Sequence, residues 1–442
     1  MNTALLYGTD VLDIEIPERA TVYVSAYPAP AASAADLVVA ALHQPLGIPP
    51  LREALARRRS GDVVIVVSDI TRPIPYDRFL GAMIREVTAA GVAPEEILLL
   101  IATGLHRPSS PEERRRMFGE EVCARCRILD HKAGEESDLL ELAGRSQAGH
   151  RVRLNRHFVA AGFRIVTGLV EPHFMAGFSG GRKAVCPGLA SIETLRSFHG
   201  YEFLANPSAR PAQMAGNPCH LEALSVARLA GVDFALNVVL NHEREVVQAV
   251  AGELDASHRA ACEFVRSRAC PRVAAEHDIV LTSCGGSPLD TTFYQCVKGM
   301  VSCLPAVKRG GTVIAAGSCS EGVGSAEYAA MMFEYTGRWR EFLEHIRSGS
   351  DFRKDQWQFQ MHGRALAKLG PDNLCFATDG LSPEQLHGLS LRPVDTRESS
   401  PRRAIQTLLD RLLRQSRSLA VIPEGPYCAP VAAEPAVTGP GQ

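Results

Sequence analysis

The sequence lacks several features that would assign it at once to a common class of protein. Its 47 lysines and arginines nearly balance its 49 aspartates and glutamates, so no excess charge of one sign attracts nucleic acid or an anionic membrane. No apolar run approaches the length of a membrane span, and residues 1–20 contain acidic side chains where a secretory signal would be basic. We therefore expect a cytoplasmic protein that binds neither nucleic acid nor a membrane.

The sequence also lacks the spacings of a metal site built from protein ligands alone. Cys123 and Cys126 form a CxxC pair without a second one, and an HExxH motif is absent. We interpret the twelve cysteines as reduced and mostly buried thiols. If the protein binds a metal, the other ligands must come from a cofactor.

What the sequence does contain is a regular alternation of apolar, β-branched runs with amphipathic helical patterns. This alternation is typical of an α/β protein, and 442 residues are many for one hydrophobic core. We predict two α/β domains with mainly parallel sheets, with the active site in the cleft between them. The predicted domains are residues 1–270 and 271–430, followed by a disordered tail at 431–442.

The densest polar segment, residues 171–183, follows an apolar run that is typical of a strand. It combines His173, the turn Ser179-Gly180-Gly181 and the cations Arg182 and Lys183. The glycines let the backbone approach a ligand, and the cations would bind a phosphate or carboxylate. Because open α/β sheets bind ligands at the carboxyl ends of strands, this segment predicts a binding site. The alternative is a plain strand-to-helix turn with a solvated Arg-Lys pair.

Two more polar motifs come directly after predicted strands. The run Asp69-Ile70-Thr71-Arg72 suits a hydroxylated or anionic ligand, although Asp69 could instead pair with Arg72 in a turn. His106 follows the next strand and so occupies a place like that of His173; alone it would be interpreted as a surface histidine. Two imidazoles at one substrate can accept and donate a proton near neutral pH, and inversion at a stereocentre requires bases on opposite faces.

Three other features are candidates for ligand binding. His199 ends a short helix with Ser191 as its N-cap, where it is either a lone metal ligand or a histidine favoured by the helix dipole. Gln295 and Lys298 are three residues apart, hence on one face of a helix, and together suit a carboxylate. Trp357 could cover a flat ligand, or pack between the domains.

Taken in order along the chain, these motifs resemble the nickel-dependent lactate racemase family. The resemblance rests on segments 69–73, 103–107, 172–173, 177–183 and 294–298, together with His199 and Trp357. It implies a racemase or epimerase that inverts carbon 2 of a 2-hydroxy acid, either lactate or a larger analogue. It also implies a nickel-pincer nucleotide as cofactor, a pyridinium mononucleotide that binds nickel through a ring carbon and two sulfurs. Enzymes that synthesise this cofactor would be partners.

The resemblance further implies a role for each motif. His106 and His173 would exchange the hydroxyl proton while hydride leaves carbon 2 for the cofactor and returns to the other face of a 2-keto acid. His199 would be the nickel ligand, and Lys183 would hold the cofactor through a thioamide linkage. The implied binding residues are, for the cofactor, Asp69, Ile70, Thr71, Arg72, Ser179, Gly180, Gly181 and Trp357, and, for the substrate, Tyr294, Gln295 and Lys298.

Two other classes of function stay open at this point. One is a phosphate-binding transferase built around segment 179–183, although its GxxxxGK[ST] spacing is absent. The other is a non-catalytic protein that binds nickel or a nucleotide. Nickel content together with stereochemical turnover separates the three.

Overall fold

Two six-stranded sheets dominate the computed structural model, which describes residues 1–349, 351–396, 399–415 and 417–432. The first sheet is parallel except for its edge strand, 246–252, which is antiparallel to its neighbour. Its strands, in spatial order, are Val246–Gly252, Phe234–Leu240, Phe163–Leu169, Val63–Ser68, Ile97–Ala102 and Arg127–Asp130. The prediction of an α/β protein with mainly parallel sheets is confirmed.

The second sheet is parallel throughout its described strands. In spatial order these are Arg392–Pro393, Leu374–Ala377, Val307–Ala316, His277–Ser283, Leu419–Ile422 and Thr21–Val22. The last strand comes from the start of the chain, so the chain begins at the second sheet and crosses to the first before residue 63. The predicted boundary at residue 270 assigns Thr21–Val22 to the first domain, whereas this strand lies in the second sheet. The predicted tail at 431–442 lies almost entirely outside the described residues.

Four two-stranded ribbons complete the β-structure of the described residues. They are Asn2–Tyr7 with Asp10–Glu15, Leu139–Arg145 with Arg151–Asn155, Pro172–His173 with Gly177–Phe178, and Arg272–Val273 with Val431–Ala432. The ribbon at 172–178 carries His173 and leads into the glycine turn.

Helices cover the faces of the sheets. In the first part of the chain they are Ala34–His43, Leu51–Leu55, Tyr76–Ala89, Pro111–Phe118, Glu120–Arg125, Arg156–Ala160, Ile192–Phe198, Tyr201–Ala205, Pro218–Ala230 and Leu254–Ala269. In the second part they are Phe293–Ser302, Ala326–Glu334, Trp339–Arg347, Gln356–Leu369, Pro383–Gly388 and Pro401–Leu413. Within the described ranges, none combines the length and apolar character that a membrane crossing needs.

Sequence patterns explain why the site-bearing strands form. Val63 to Val67 are five consecutive β-branched residues, all 0% exposed, as expected for an inner strand covered on both faces. The following helix, Tyr76–Ala89, buries Leu80, Ile84 and Val87, which are spaced i, i+4 and i+7 and so form one stripe. The chain therefore alternates strand and covering helix, and each strand's carboxyl end opens toward the same edge of the sheet.

Two buried histidines predict a loss of stability in acid. Burial lowers the pKa of His220 to about 3 and that of His362 to about 4, from an ordinary value of 6.5. The unfolded chain takes up these protons below about 6.5 and the folded chain does not, so this stability is present above about 6.5 and is lost as the pH falls toward 4. We expect the thermal midpoint to decline over that window. The His362→Gln variant cannot take up one of the protons and should decline less steeply; an equal slope in both would contradict the prediction.

Candidate active site

A cavity of about 690 Å³ lies between the two domains and is lined by both. The first domain contributes residues just beyond the carboxyl ends of three neighbouring strands, and the second contributes the start of the Phe293–Ser302 and Gln356–Leu369 helices. Most of the predicted site residues line it: Asp69, Thr71, Arg72, His106, His173, Ser179, Gly180, Lys183, His199, Tyr294, Gln295, Lys298 and Trp357. Ile70 and Gly181 do not.

The Asp69 side chain holds His106 and makes no ion pair with Arg72, although the Arg72 amide donates to the Asp69 carbonyl at 3.1 Å, as in the turn of the alternative interpretation. The Asp69 carboxylate lies 2.5 Å from His106 Nδ1 and also accepts a hydrogen bond from Thr71. Burial raises the pKa of Asp69, but hydrogen bonding and charge from His106, with the charge of Arg72, bring it below its ordinary value. Because an ionised carboxylate only accepts, Nδ1 carries the proton and Nε2 is left as a free acceptor.

His173 has the opposite arrangement. Its Nδ1 accepts hydrogen bonds from the backbone amides of Met175 and Ala176, at 3.3 and 3.2 Å, which puts the ring proton on Nε2. Nε2 lies 2.9 Å from the Lys183 amine. Burial, and then the charges of Lys183 and Lys298, lower the pKa of His173 well below its ordinary value. His173 is therefore a neutral imidazole.

The environment of the Lys183 amine favours its neutral form as well. Burial, followed by the charges of Arg72 and Arg182, lowers its pKa well below the ordinary 10.5. A neutral amine also satisfies the geometry, since it accepts the Nε2–H of His173 through its lone pair. Buried lysines with depressed pKa values are the ones that act as nucleophiles.

The glycine turn before Lys183 is fastened to the first sheet. The Ser179 hydroxyl donates to the Leu169 carbonyl at 2.7 Å, and the Gly181 amide donates to Asn237 Oδ1 at 2.9 Å. Gly180 has φ +75°, and a Cβ there would lie 2.7 Å from Val170 Cγ2, so no larger residue fits. The hydroxyl and this amide, which the sequence suggested as ligand donors, instead fix the shape of the turn.

Arg182 does not reach the cavity, contrary to the expectation that it binds an anion. Its side chain is fully buried, and its guanidinium donates to four carbonyls of the same turn, at Ala176, Phe178, Ser179 and Gly180. It also contacts His258 Nε2 at 2.7 Å. Its role is to hold the loop that presents His173 and Lys183.

His199 lies at the end of the Ile192–Phe198 helix, whose N-cap is Ser191 as predicted. Its Nδ1 is buried and has no hydrogen-bond partner among the described residues. Burial, and then the charge of Lys183, lowers the pKa of His199 to about 3. The ring stacks on Trp357, with centroids 4.5 Å apart. His199 is therefore a neutral imidazole without a well-formed hydrogen bond at Nδ1, although the Leu195 carbonyl opposes part of the lowering of its pKa.

Two cationic side chains and one amide side chain face the cavity, and their polar atoms lack protein partners among the described residues. In the described chain, the side chains of Arg72 and Lys298 make neither a hydrogen bond nor an ion pair, and Gln295 Oε1 is buried without a partner. Burial and the charge of Arg72 lower the pKa of Lys298. Burial raises the pKa of nearby Glu171, and the charges of Arg72 and Lys298 oppose that rise. This part of the cavity is built for an anion.

Several lining residues were missed by the sequence interpretation, among them Glu321, Ser325, Lys354 and Asp355. Asp355 is the most unusual, because it is buried and adopts φ +68°, a conformation that non-glycine residues rarely take. The sequence indicates only that Asp355 lies two residues before Trp357. That position is equally typical of an ordinary helix N-cap, so it does not identify Asp355 as a site residue.

Known proteins resemble this chain over nearly its whole length. Residues 7–212 match the lactate racemase N-terminal domain, and residues 273–427 match the lactate racemase C-terminal domain. The chain is 32% identical over 392 residues to the lactate racemase of Thermoanaerobacterium thermosaccharolyticum, covering 88% of this chain and 89% of that protein. It is 31% identical over 393 residues to the lactate racemase of Lactiplantibacillus plantarum, with the same coverage.

Solved structures agree with these matches. The lactate racemase apoprotein of Thermoanaerobacterium thermosaccharolyticum superposes with a TM-score of 0.87 at 29% identity, covering 98% of this chain and 100% of that one. A protein of Thermotoga maritima shares the fold at a TM-score of 0.65 and 17% identity, covering 87% and 98%. The relatives of known activity are racemases, and this chain shares their two-domain α/β fold around a polar cleft. It is therefore an isomerase. More narrowly, the chain belongs to the lactate racemase family.

Proposed function

We propose that the protein racemises or epimerises a 2-hydroxy acid, lactate or a larger analogue, using a nickel-pincer nucleotide made by dedicated synthesis enzymes. The observation that supports this most is the convergence of polar groups without protein partners on one cavity. His199 Nδ1 and Gln295 Oε1 are buried and unbonded, and Arg72 and Lys298 face the cavity without an acid within ion-pair distance in the described ranges. Such groups are destabilising unless a ligand satisfies them.

The residues fit that cofactor. Among the described residues, no three His, Cys, Asp or Glu side chains come together to hold a metal, which suits an ion that brings most of its ligands with it. His199 would supply the protein ligand as a neutral imidazole. The Lys183 amine would attach the cofactor, while the cavity-lining residues Thr71, Arg72, Ser179, Gly180 and Trp357 would surround it. When bound, the cofactor supplies the hydride transfer at carbon 2.

The substrate carboxylate would bind to Lys298 and Gln295, which lie on one face of the Phe293–Ser302 helix, with Tyr294 beside them. A cation and an amide give such a carboxylate charge-assisted hydrogen bonds. Binding there from the second domain would orient carbon 2 toward the histidines of the first domain.

His106 and His173 would handle the hydroxyl proton. Nε2 of His106 is the free acceptor, since Asp69 fixes the proton on Nδ1, so His106 is ready to act as a base. Burial, and then the positive charges around it, hold His173 neutral in the absence of a ligand. An anionic ligand bound against Lys298 and Arg72 would offset charges that lower the pKa of His173 and would let His173 carry a proton to return to oxygen.

Nickel content and stereochemical turnover test the proposal together. Protein made alongside the cofactor-synthesis enzymes is expected to hold about one nickel per chain, bound at one imidazole, and to convert one enantiomer of a 2-hydroxy acid into the other. His199→Ala should fold but lose nickel and turnover, whereas His157→Ala, outside the cavity, should keep both. Full nickel occupancy and normal turnover in His199→Ala would overturn the assignment of the metal ligand. Nickel without turnover in the wild type would favour a binding protein, and phosphoryl transfer without nickel a transferase.

A separate expectation concerns the substrate carboxylate. Lys298→Ala is expected to raise KM strongly and to leave nickel content unchanged, because Lys298 is assigned to the substrate and not to the cofactor. Loss of a charge-assisted hydrogen bond corresponds to roughly tenfold or more in kcat/KM. Steady-state kinetics and elemental analysis on the same preparation check both halves. An unchanged KM, or a loss of nickel, would contradict the role.

A further inference from the structure

The orientation of the His199 ring is not fixed in the way usual for a metal-binding histidine. Such histidines almost always donate their second ring nitrogen to a carboxylate, carbonyl or water. In the described part of this chain, neither nitrogen of His199 has a partner with good hydrogen-bond geometry, although the Leu195 carbonyl one turn earlier acts on the ring and opposes part of the lowering of its pKa. The ring is held by its faces and edges, with Trp357 stacked at 4.5 Å and 21° and Phe198 set edgewise at 4.7 Å and 81°.

Trp357 is itself locked in place by polar contacts within the second domain. Its indole Nε1 donates to the Tyr294 hydroxyl at 3.0 Å. Burial, together with the charge of Asp355, raises the pKa of that hydroxyl, so the Tyr294 oxygen stays protonated beside a carboxyl group. Ser325 Oγ donates to Asp355 Oδ2 at 3.3 Å. The left-handed backbone of Asp355, φ +68°, is a strained conformation that persists only where the surroundings impose it.

The helix that carries Trp357 is also bonded to the chain just beyond His199. Trp357, Gln360 and Arg364 are spaced i, i+3 and i+7 on the Gln356–Leu369 helix and therefore share a face. Gln360 donates to the Tyr201 carbonyl at 2.8 Å, and Arg364 donates to the carbonyls of Leu204, Asn206 and Ala209. One face of a second-domain helix thus lies along residues 199–209 of the first domain.

We propose that Asp355, Tyr294 and Trp357 are positioning residues that set the orientation of the His199 imidazole across the domain interface. The second domain, through a stacked indole, takes the place of the usual hydrogen bond to a ligand histidine. Docking of the second domain and alignment of the donor nitrogen are then a single event. The stack is a property of the protein alone, whereas its consequence for the metal rests on the proposed function.

The stack is tested first on protein without cofactor, labelled with ¹³C-histidine. The His199 ring signal is identified by its absence in His199→Gln, and in the wild type it is expected upfield because of the indole ring current. Trp357→Leu should abolish that upfield shift, and Tyr294→Phe and Asp355→Asn should reduce it. Trp339→Phe is the matched control, because Trp339 is the chain's other tryptophan, is buried in the same domain and has no ring contact with His199 in the described structure. An unchanged His199 signal in Trp357→Leu would overturn the inference.

The consequence for the metal is tested on holoenzyme. Tyr294→Phe and Asp355→Asn should weaken nickel retention by about tenfold or more, the usual effect of losing a group that orients a ligand, while Trp339→Phe retains nickel as the wild type does. Normal retention despite a lost ring-current shift would overturn the positioning role. Failure of the proposed function is seen separately, as full nickel in His199→Ala, and leaves the ¹³C result to decide on the stack.

Discussion

His106→Gln and His173→Gln are each expected to lower the racemisation rate by about two to four orders of magnitude, the range of general acid–base catalysis. Both side chains line the interdomain cavity, and each is held in a defined tautomer, His106 by Asp69 and His173 by two backbone amides. Glutamine preserves polarity and approximate size but cannot exchange a proton near neutral pH. Rates measured in both directions, from each enantiomer, report on both histidines.

The controls for this experiment separate a lost proton relay from a lost fold. His157→Gln alters a partly buried histidine outside the cavity and is expected to keep the wild-type rate. Nickel content should be equal in all three variants. Racemisation at the wild-type rate in either His106→Gln or His173→Gln would show that two bases are not required.

The positions of the first-domain site residues could be predicted because they depend on strand order. Runs such as Val63–Ser68 and Ile97–Ala102 are typical of buried parallel strands, and the loops after parallel strands all emerge at one edge of the sheet. Asp69, His106 and His173 therefore had to be neighbours, and the structure places them around one cavity.

Side-chain direction could not be predicted in the same way. Arg182 and Lys183 are adjacent and both cationic, yet Lys183 faces the cavity while Arg182 turns into the protein to bind carbonyls. A turn with two glycines at positive φ, Gly180 and Gly181, has no periodicity from which to assign a face. Only the packed backbone decides which cation meets a ligand.

Contacts between segments that lie far apart in the sequence could not be predicted either. Thr21–Val22 is too short a strand to leave a pattern, and its place beside Leu419–Ile422 depends on residues near the other end of the chain. The same holds for Asp355, whose partners Ser325 and Tyr294 lie in other elements. Trp357 was predicted at the site, but its stacking on the imidazole of His199 was not, because that contact joins the two domains.

A substrate deuterated at carbon 2 and racemised in ordinary water is expected to keep most of its label in the inverted product. In the proposed site both histidines serve the hydroxyl proton, and the cofactor would accept the carbon 2 hydrogen as hydride. The carbon 2 hydrogen therefore never resides on a side chain that exchanges with water. The reverse labelling, unlabelled substrate in deuterium oxide, is the control and should leave carbon 2 free of deuterium.

Mass spectrometry of the product at low conversion decides between the two routes, since it reports the label before repeated turnovers blur it. A primary isotope effect on the rate is expected where breaking the carbon–hydrogen bond limits turnover. Complete replacement of the label by solvent hydrogen within one turnover would mean that a carbanion forms and that His106 or His173 takes the carbon-bound proton. The fold, the family and the cavity would stand, but a histidine and not the cofactor would then take the carbon 2 hydrogen. The lowered pKa of His173 would make it a weaker base for that step.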